Sequence, residues 1–388
     1  MQTRFRAPAR RGARPLSMML AGPLFVTVVG AALVSCGGDG DDKSPTNPAP
    51  PPALSTFSAT AVVADSAAAA AAHVDPNLVN GWGIAFNPIG FVWVANQGTS
   101  TSTLYDGRGN PQTLVVSVPA GAGGSAGPAG IVYNGTQDFR VSAGATSGVA
   151  AFIFAGTGGT LSGWSPAVDR THAITTVDTA AASTTAAAAY TGLTLASYNG
   201  INYLYAADFR NGRIDVYDPT WKKVTLPGGG FSDSGLPTGY APYGIQAVGS
   251  RIYVSYAQRA TGGPGVNRGA GLGIVDVFEP GGALVRRLAT GGVLNAPWGI
   301  AMAPSTFGGA AGKLLVGNFG DGRINVFDPD SGAVVGVLAK ADKTPIVIDG
   351  LWGIAFGNGL NEQPLNTLFY AAGPANETHG AYGRIDLQ

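Results

Sequence analysis

The sequence predicts an all-β fold, a six-bladed β-propeller, on three observations. A short motif of an aromatic or small residue, then glycine, then an apolar alternation recurs six times. It stands at Trp82-Gly83-Ile84, Ala129-Gly130-Ile131, Thr191-Gly192-Leu193, Tyr243-Gly244-Ile245, Trp298-Gly299-Ile300 and Trp352-Gly353-Ile354. The motif glycines lie 47, 62, 52, 55 and 54 residues apart, a spacing that suits four-stranded blades with generous loops. Composition agrees: 45% of the 388 residues are hydrophobic and only 12% charged, with 60 Gly and 26 Pro. That excludes a coiled coil, a long helical array and a disordered polyelectrolyte.

In chain order, residues 1–35 come first and are read as an address. Arg4, Arg6, Arg10, Arg11 and Arg14 precede an apolar run from Leu16 to Val34. A basic segment, an apolar segment and a small-residue cleavage site describe a secretory signal. A single membrane anchor is the alternative, weakened by Gly22, Pro23 and Gly30 within the run. Leu33-Val34-Ser35-Cys36 resembles a bacterial lipobox, which implies lipidation of Cys36, the sole cysteine of the chain. With one cysteine, no disulfide forms within the chain. Gly37 after it favours an outer-membrane or cell-surface lipoprotein, and otherwise a periplasmic or secreted protein. Residues 36–56 are rich in Gly, Asp and Pro without apolar period, as expected of a lipidated cysteine followed by an extended spacer. Lys plus Arg and Asp plus Glu balance at 23 each, so no basic field exists to hold nucleic acid.

Residues 57–388 are expected to form the propeller. After each motif a second strand is legible, as in Val92-Trp93-Val94, Leu204-Tyr205-Ala206, Ile252-Tyr253-Val254, Leu314-Leu315-Val316 and Leu368-Phe369-Tyr370. A third follows a glycine turn, as in Gly212-Arg213-Ile214-Asp215-Val216-Tyr217 and Gly322-Arg323-Ile324-Asn325-Val326-Phe327. Period-two alternation bounded by Asn-Gly, Asp-Gly and Asp-Pro is what antiparallel hairpins require. In the second unit, residues 139–141 and 149–154 are read as the strands. Small residues at the motif fit the crowded axis, where inner strands converge. The last unit ends at its third strand, and Phe57–Val63 supplies the missing fourth, which removes two exposed sheet edges. Alanine runs at 67–72 and 183–189 read as loop insertions, each too short for a stable isolated helix.

Seven longer strings carry a resemblance: HVDPNLVNGWGIAFNP (73–88), LSGWSPAVD (161–169), AADFRNGRIDVYD (206–218), GYAPYGIQ (239–246), LLVGNFGDGRINVFDP (314–329), IVIDGLWGIAFGNG (346–359) and FYAAGPANETHGAYGRI (369–385). Over about residues 57–388 the chain resembles an exported bacterial family of uncharacterised, NHL-like β-propeller proteins. The resemblance implies six blades and an extracytoplasmic location, and it implies no activity.

The loops that open each inner strand, and those joining second to third strands, gather on one face of a propeller. They bring Trp82, Tyr243, Trp298 and Trp352 together with Asn96, Asp208, Asn318 and Asp321. An aromatic collar with Asn and Asp is the composition of a small-molecule or glycan funnel. The plainer reading is that the aromatics pack between blades and the Asn and Asp shape turns. Glu377 and His379 form the one pairing suited to general acid–base work. No metal-ligand spacing surrounds any histidine. The loop 318–322 admits a structural Ca²⁺ but lacks the acidic density of a dedicated site. The expectation is a lipid-anchored, non-catalytic binding or scaffold module of the cell envelope, partnered by a glycan, small molecule or envelope protein. The alternative is a metal-dependent propeller hydrolase, lactonase or lyase using the axial channel.

Overall fold

A computed structural model describes residues 54–388 except 68–69, 184–186, 262 and 264. The expected signal segment, Cys36 and most of the spacer lie outside the described residues. Among the described residues there are six up-and-down antiparallel blades, five of four strands and a sixth whose four antiparallel strands carry a short fifth. Their inner strands are Gly81–Phe86, Pro128–Tyr133, Tyr190–Tyr198, Tyr240–Val248, Pro297–Met302 and Leu351–Phe356. All six carry the repeated motif, so the repeat marks the strand nearest the axis.

The ring is closed as expected. Phe57–Ala64 pairs antiparallel with Ala381–Leu387 and becomes the outer strand of the sixth blade, where His73–Val74 adds a short parallel fifth strand. Three residues of the expected spacer also belong to the body. Thr56 bridges Ala339, its carbonyl accepts from the Gln388 amide at 2.9 Å, and Ser55 Oγ accepts from the Gly309 amide at 2.9 Å. Their apolar neighbour Leu54 packs on the core shared by blades 5 and 6.

The second blade differs from expectation. Its second and third strands are Phe152–Gly156 and Thr160–Trp164, and its fourth is Ile174–Asp178. The segment read as its earlier strand is instead a separate hairpin, Arg140–Ala143 with Thr146–Val149. Aromatic anchoring explains the insertion. Phe139 meets Trp221 of blade 3 edge-on at 5.4 Å, and Trp221 Nε1 donates to the Arg140 carbonyl at 2.8 Å. This hairpin accounts for the longest spacing between motif glycines.

Those glycines are needed because inner strands of neighbouring blades nearly touch. A Cβ on Gly83 would lie 2.5 Å from the Ala129 carbonyl oxygen, on Gly244 2.0 Å from that of Trp298, on Gly299 2.5 Å from that of Trp352, and on Gly353 2.5 Å from that of Trp82. Any side chain there would push adjacent blades apart. Between blades, alternate strand residues interdigitate into apolar layers. One of these joins Phe57 to Phe307, Leu315 and Ile385.

Phe57 is fully buried and its ring lies 4.8 Å from that of Phe307. Because it sits on the closing strand, Phe57→Ala should cost about 3–5 kcal/mol of global stability. Equilibrium denaturant unfolding reads this as a lowered midpoint with an unchanged slope. A loss below about 1 kcal/mol would show that ring closure does not depend on this strand.

Candidate functional site

The axis is organised by a bulge. In every blade the pairing of inner and second strand slips by one residue at the motif: between Gly81 and Ile84, at 128–130, and between Tyr190 and Gly192, Pro242 and Gly244, Pro297 and Gly299, and Leu351 and Ile354. A bulge leaves one residue unpaired and re-aims its side chain. The residues at these bulges are Trp82, Ala129, Thr191, Tyr243, Trp298 and Trp352, and all are buried.

The four bulge aromatics, joined by Phe319 from a neighbouring loop, close the channel. Trp82 stacks on Trp352 with ring centroids 3.5 Å apart, and Phe319 stacks on Trp352 at 3.9 Å. Trp298 and Tyr243 meet Trp352 edge-on at 5.8 Å each, and the Arg268 guanidinium lies 4.1 Å from the Phe319 ring centre. Edge-to-face contact is a favoured arrangement of ring quadrupoles, and an arginine over a ring face is attracted likewise, whereas the close face-to-face stacks on Trp352 are held by dispersion and by exclusion of water. Trp298 Nε1 donates to the Thr191 carbonyl at 2.9 Å and Trp352 Nε1 to Asn80 Oδ1 at 3.0 Å. Trp82 Nε1 is buried without a hydrogen-bond partner among the described residues. The residues read as an open collar thus form a plug, and their faces are spent on one another.

The polar candidates surround this plug and brace it. Glu377 and His379 are not paired with each other. Glu377 Oε2 accepts from Asn80 Nδ2 at 3.1 Å, and its Oε1 lies 3.7 Å from Arg268. His379 Nδ1 is 2.8 Å from Asp65 Oδ2. Their separation has a backbone cause: Ala375, Asn376 and Glu377 all have left-handed φ, from 53° to 69°, which turns the Glu377 side chain toward the axis. Asn318 Nδ2 donates to the Val293 carbonyl at 2.8 Å and to Asp321 Oδ1 at 3.1 Å, while its Oδ1 accepts from the Asn295 amide. Asp208 accepts from the Ala189 and Asn211 amides, and Asn96 donates to Thr101 and Thr103. In the loop considered for Ca²⁺, Asp321 and Asn318 oxygens already accept these internal donors. Among the described residues no group of three His, Cys, Asp or Glu converges as a metal site.

The open cavity lies at the other end of the same strands, where the loop-based reading did not look. A funnel of about 470 Å³ runs along the axis. Its throat is a ring of Ile84, Ile131, Leu193, Ile245, Ile300 and Ile354, one from each blade. Its mouth is bordered by Phe86, Tyr133, Leu195, Gln246, Met302 and Phe356. Each inner strand ends its sheet, so amides and carbonyls of six strand edges also face the axis. Among the described residues, no carboxylate, imidazole, amine, guanidinium or thiol lines the cavity. The signal for the throat was the residue after each motif glycine, two places from the bulge and on the same strand face.

A buried, titratable carboxyl lies off the axis. Asp276, on the third strand of blade 4, is fully buried, and burial followed by the nearby Asp233 carboxylate pushes its carboxyl up to about 7. Asp233 is itself held below its ordinary value: burial opposes ionisation, but the Arg287 guanidinium bonded to it outweighs that cost. Since the folded pKa of Asp276 lies above the ordinary 3.8, its contribution to stability is full below about pH 4 and is lost as pH rises through about 7. The difference is on the order of 4 kcal/mol by pH 8. Asp276→Asn should flatten the pH dependence of unfolding between pH 5 and 8. A variant that keeps the wild-type slope would place the titrating group elsewhere.

No family model matches the chain. It is 35% identical over 321 residues to uncharacterized protein R648 of Acanthamoeba polyphaga mimivirus, covering 81% of this chain and 76% of the relative. To uncharacterized protein L690 of the same virus it is 34% identical over 323 residues, covering 81% and 82%. These relatives are viral, whereas the resemblance drawn from the sequence was to a bacterial group. Among solved structures, a streptogramin B lyase aligns with a TM-score of 0.46 and 12% identity over 86% of this chain and 97% of that one. A gluconolactonase from Xanthomonas campestris aligns with a TM-score of 0.46 and 13% identity over 80% and 87%. The chain belongs to the family that includes the mimivirus proteins R648 and L690.

Proposed function

We propose that this protein is a non-catalytic binding module whose site is the axial funnel, and that its ligand is an uncharged, ring-sized small molecule. The observation that carries the reading is the contrast between the two ends of the channel. One end is filled by stacked aromatics, while the other is an open cavity of about 470 Å³ on whose wall, among the described residues, the Tyr133 phenol is the one acidic or basic group. That volume lies in the range of sites for small molecules. The apolar throat favours a hydrophobic ring, and the strand edges above it offer hydrogen bonds to neutral polar groups. A charged ligand would lose its hydration there without gaining a counter-charge.

The same reading includes export and anchoring through Cys36, supported by the lipobox-like sequence and the spacer that follows. A propeller held away from a membrane by such a spacer presents its funnel to solutes or to an envelope partner. Of the residues first considered for hydrolase, lactonase or lyase chemistry, Glu377 is engaged through Asn80 and Arg268 with the plug, while His379, Asp208 and Asn318 bond separate loop partners and do not converge with it, which supports binding over turnover.

The test uses 2-naphthol, neutral at pH 7 and fluorescent, titrated into the full-length protein. Saturable one-to-one binding is expected, at least tenfold tighter than for 2-naphthoate. Val132 is a half-buried wall residue that also packs on the core between blades 2 and 3, so Val132→Glu should weaken 2-naphthol at least tenfold, read on protein whose melting curve shows that it is folded. Binding that is absent, or unaffected by Val132→Glu, would remove the funnel as the site.

A further inference from the structure

A second cleft, of about 380 Å³, opens between blades 3 and 4 on the plugged face. It shares no residue with the funnel and differs from it in charge. Phe231, Tyr240 and Tyr256 supply ring surfaces, and Arg213, Asp233 and Arg259 supply charge.

The ion pairs decide which charge is left over. Arg213 Nε donates to Asp215 at 2.7 Å, and its Nη2 lies 3.4 Å from Asp208; both carboxylates are buried. Asp233 is bonded by Arg287 through Oδ2 and accepts from the Gly235 amide through Oδ1 at 2.8 Å. Arg259 donates Nη1 to the Arg210 carbonyl at 2.7 Å and has no acidic partner among the described residues. Of the three charged groups on the wall, two are neutralised and Arg259 is not. Behind Tyr256, Asp276 is buried with its Oδ1 3.6 Å from Arg287 Nε, and burial keeps it largely protonated at mildly acidic pH, so it does not cancel Arg259.

The rest of the wall is polar and built for close approach. Ser232 and Thr238 bring hydroxyls, and Gly212 and Gly239, with φ of 67° and 92°, bring backbone with no side chain in the way. A planar guanidinium matches a carboxylate, hydroxyl-bearing residues match a polyol, and aromatic faces match the C–H face of a sugar ring.

We propose that this cleft is a second binding site, for a monoanionic sugar ring of the hexuronate class, with Arg259 receiving the carboxylate and Tyr240 and Phe231 flanking the ring. It goes beyond the funnel reading and does not rest on it.

Calorimetric titration of the full-length protein with D-glucuronate, at low salt and pH 6, tests this. Saturable one-to-one binding is expected, at least tenfold tighter than for D-glucose and weakened at least tenfold by Arg259→Gln. Arg259→Lys, which keeps the charge but not the fork, should fall between the two. Val132→Glu should bind glucuronate as the wild type does, whatever happens to 2-naphthol, so the two sites fail or stand separately. Melting curves identify a variant that has lost its fold, in which case the glucose comparison on the wild type decides. No saturable glucuronate binding, equal affinity for glucose, or a folded Arg259→Gln that binds unchanged would each overturn the proposal.

Discussion

Six β-bulges at equivalent positions set the interior of this propeller. Inner strands meet at the axis with their backbones almost in contact, so side chains there have two options. They are absent, as at the motif glycines, or they are redirected along the axis, as at the bulge one residue earlier. The bulge collects six side chains into one volume, and that volume has room for four large rings only because Ala129 and Thr191 occupy the other two places. Stacking then does what a small hydrophobic core does elsewhere: it excludes water and joins elements far apart in sequence. Trp82 and Trp352, which stack, come from the first and last blades, so the plug also reinforces ring closure.

Closing one end shapes the other. With the aromatics turned toward the loops that open each blade, the next inward-facing residue of every inner strand is Ile or Leu, and these six make a throat instead of a through-channel. The polar loops above the plug serve it. Asn80 links the Trp352 indole to Gln97 and Glu377, and Glu377 in turn lies beside Arg268, which caps Phe319. Arg268 and Glu377 are thereby consumed in bracing, whereas between blades 3 and 4 Arg259 donates only to a carbonyl and, among the described residues, has no counter-charge.

Much of the fold was legible because its determinants are local. Glycine before an apolar alternation, and the Asn-Gly, Asp-Gly and Asp-Pro turns, specify hairpins by backbone chemistry alone, and counting them yields six blades. The closing strand Phe57–Val63 was legible because the last unit lacked a partner for it. The hairpin at 140–149 was not, since its place depends on Phe139 meeting Trp221, about eighty residues away. At the site, sequence identified which residues share a face but not their depth. Trp82, Tyr243, Trp298 and Trp352 were rightly grouped, yet whether they line or fill a channel depends on the bulge and on Phe319 entering from a neighbouring loop. Glu377 and His379 stand two residues apart in sequence and bind different partners because three consecutive left-handed residues lie between Pro374 and Thr378. Buried Asp276 and unpaired Arg259 are products of pairings between blades, which no local pattern encodes.

The most direct measurement is a crystal structure of the protein soaked with a neutral brominated ring such as 4-bromobenzyl alcohol, with bromine located by anomalous scattering. Bromine density between the Ile84, Ile131, Ile300 and Ile354 side chains, with Trp82 and Trp352 still stacked above it, is the predicted result. Density among the aromatics at the opposite end, or a channel open there to solvent, would contradict a plugged propeller with a single blind funnel.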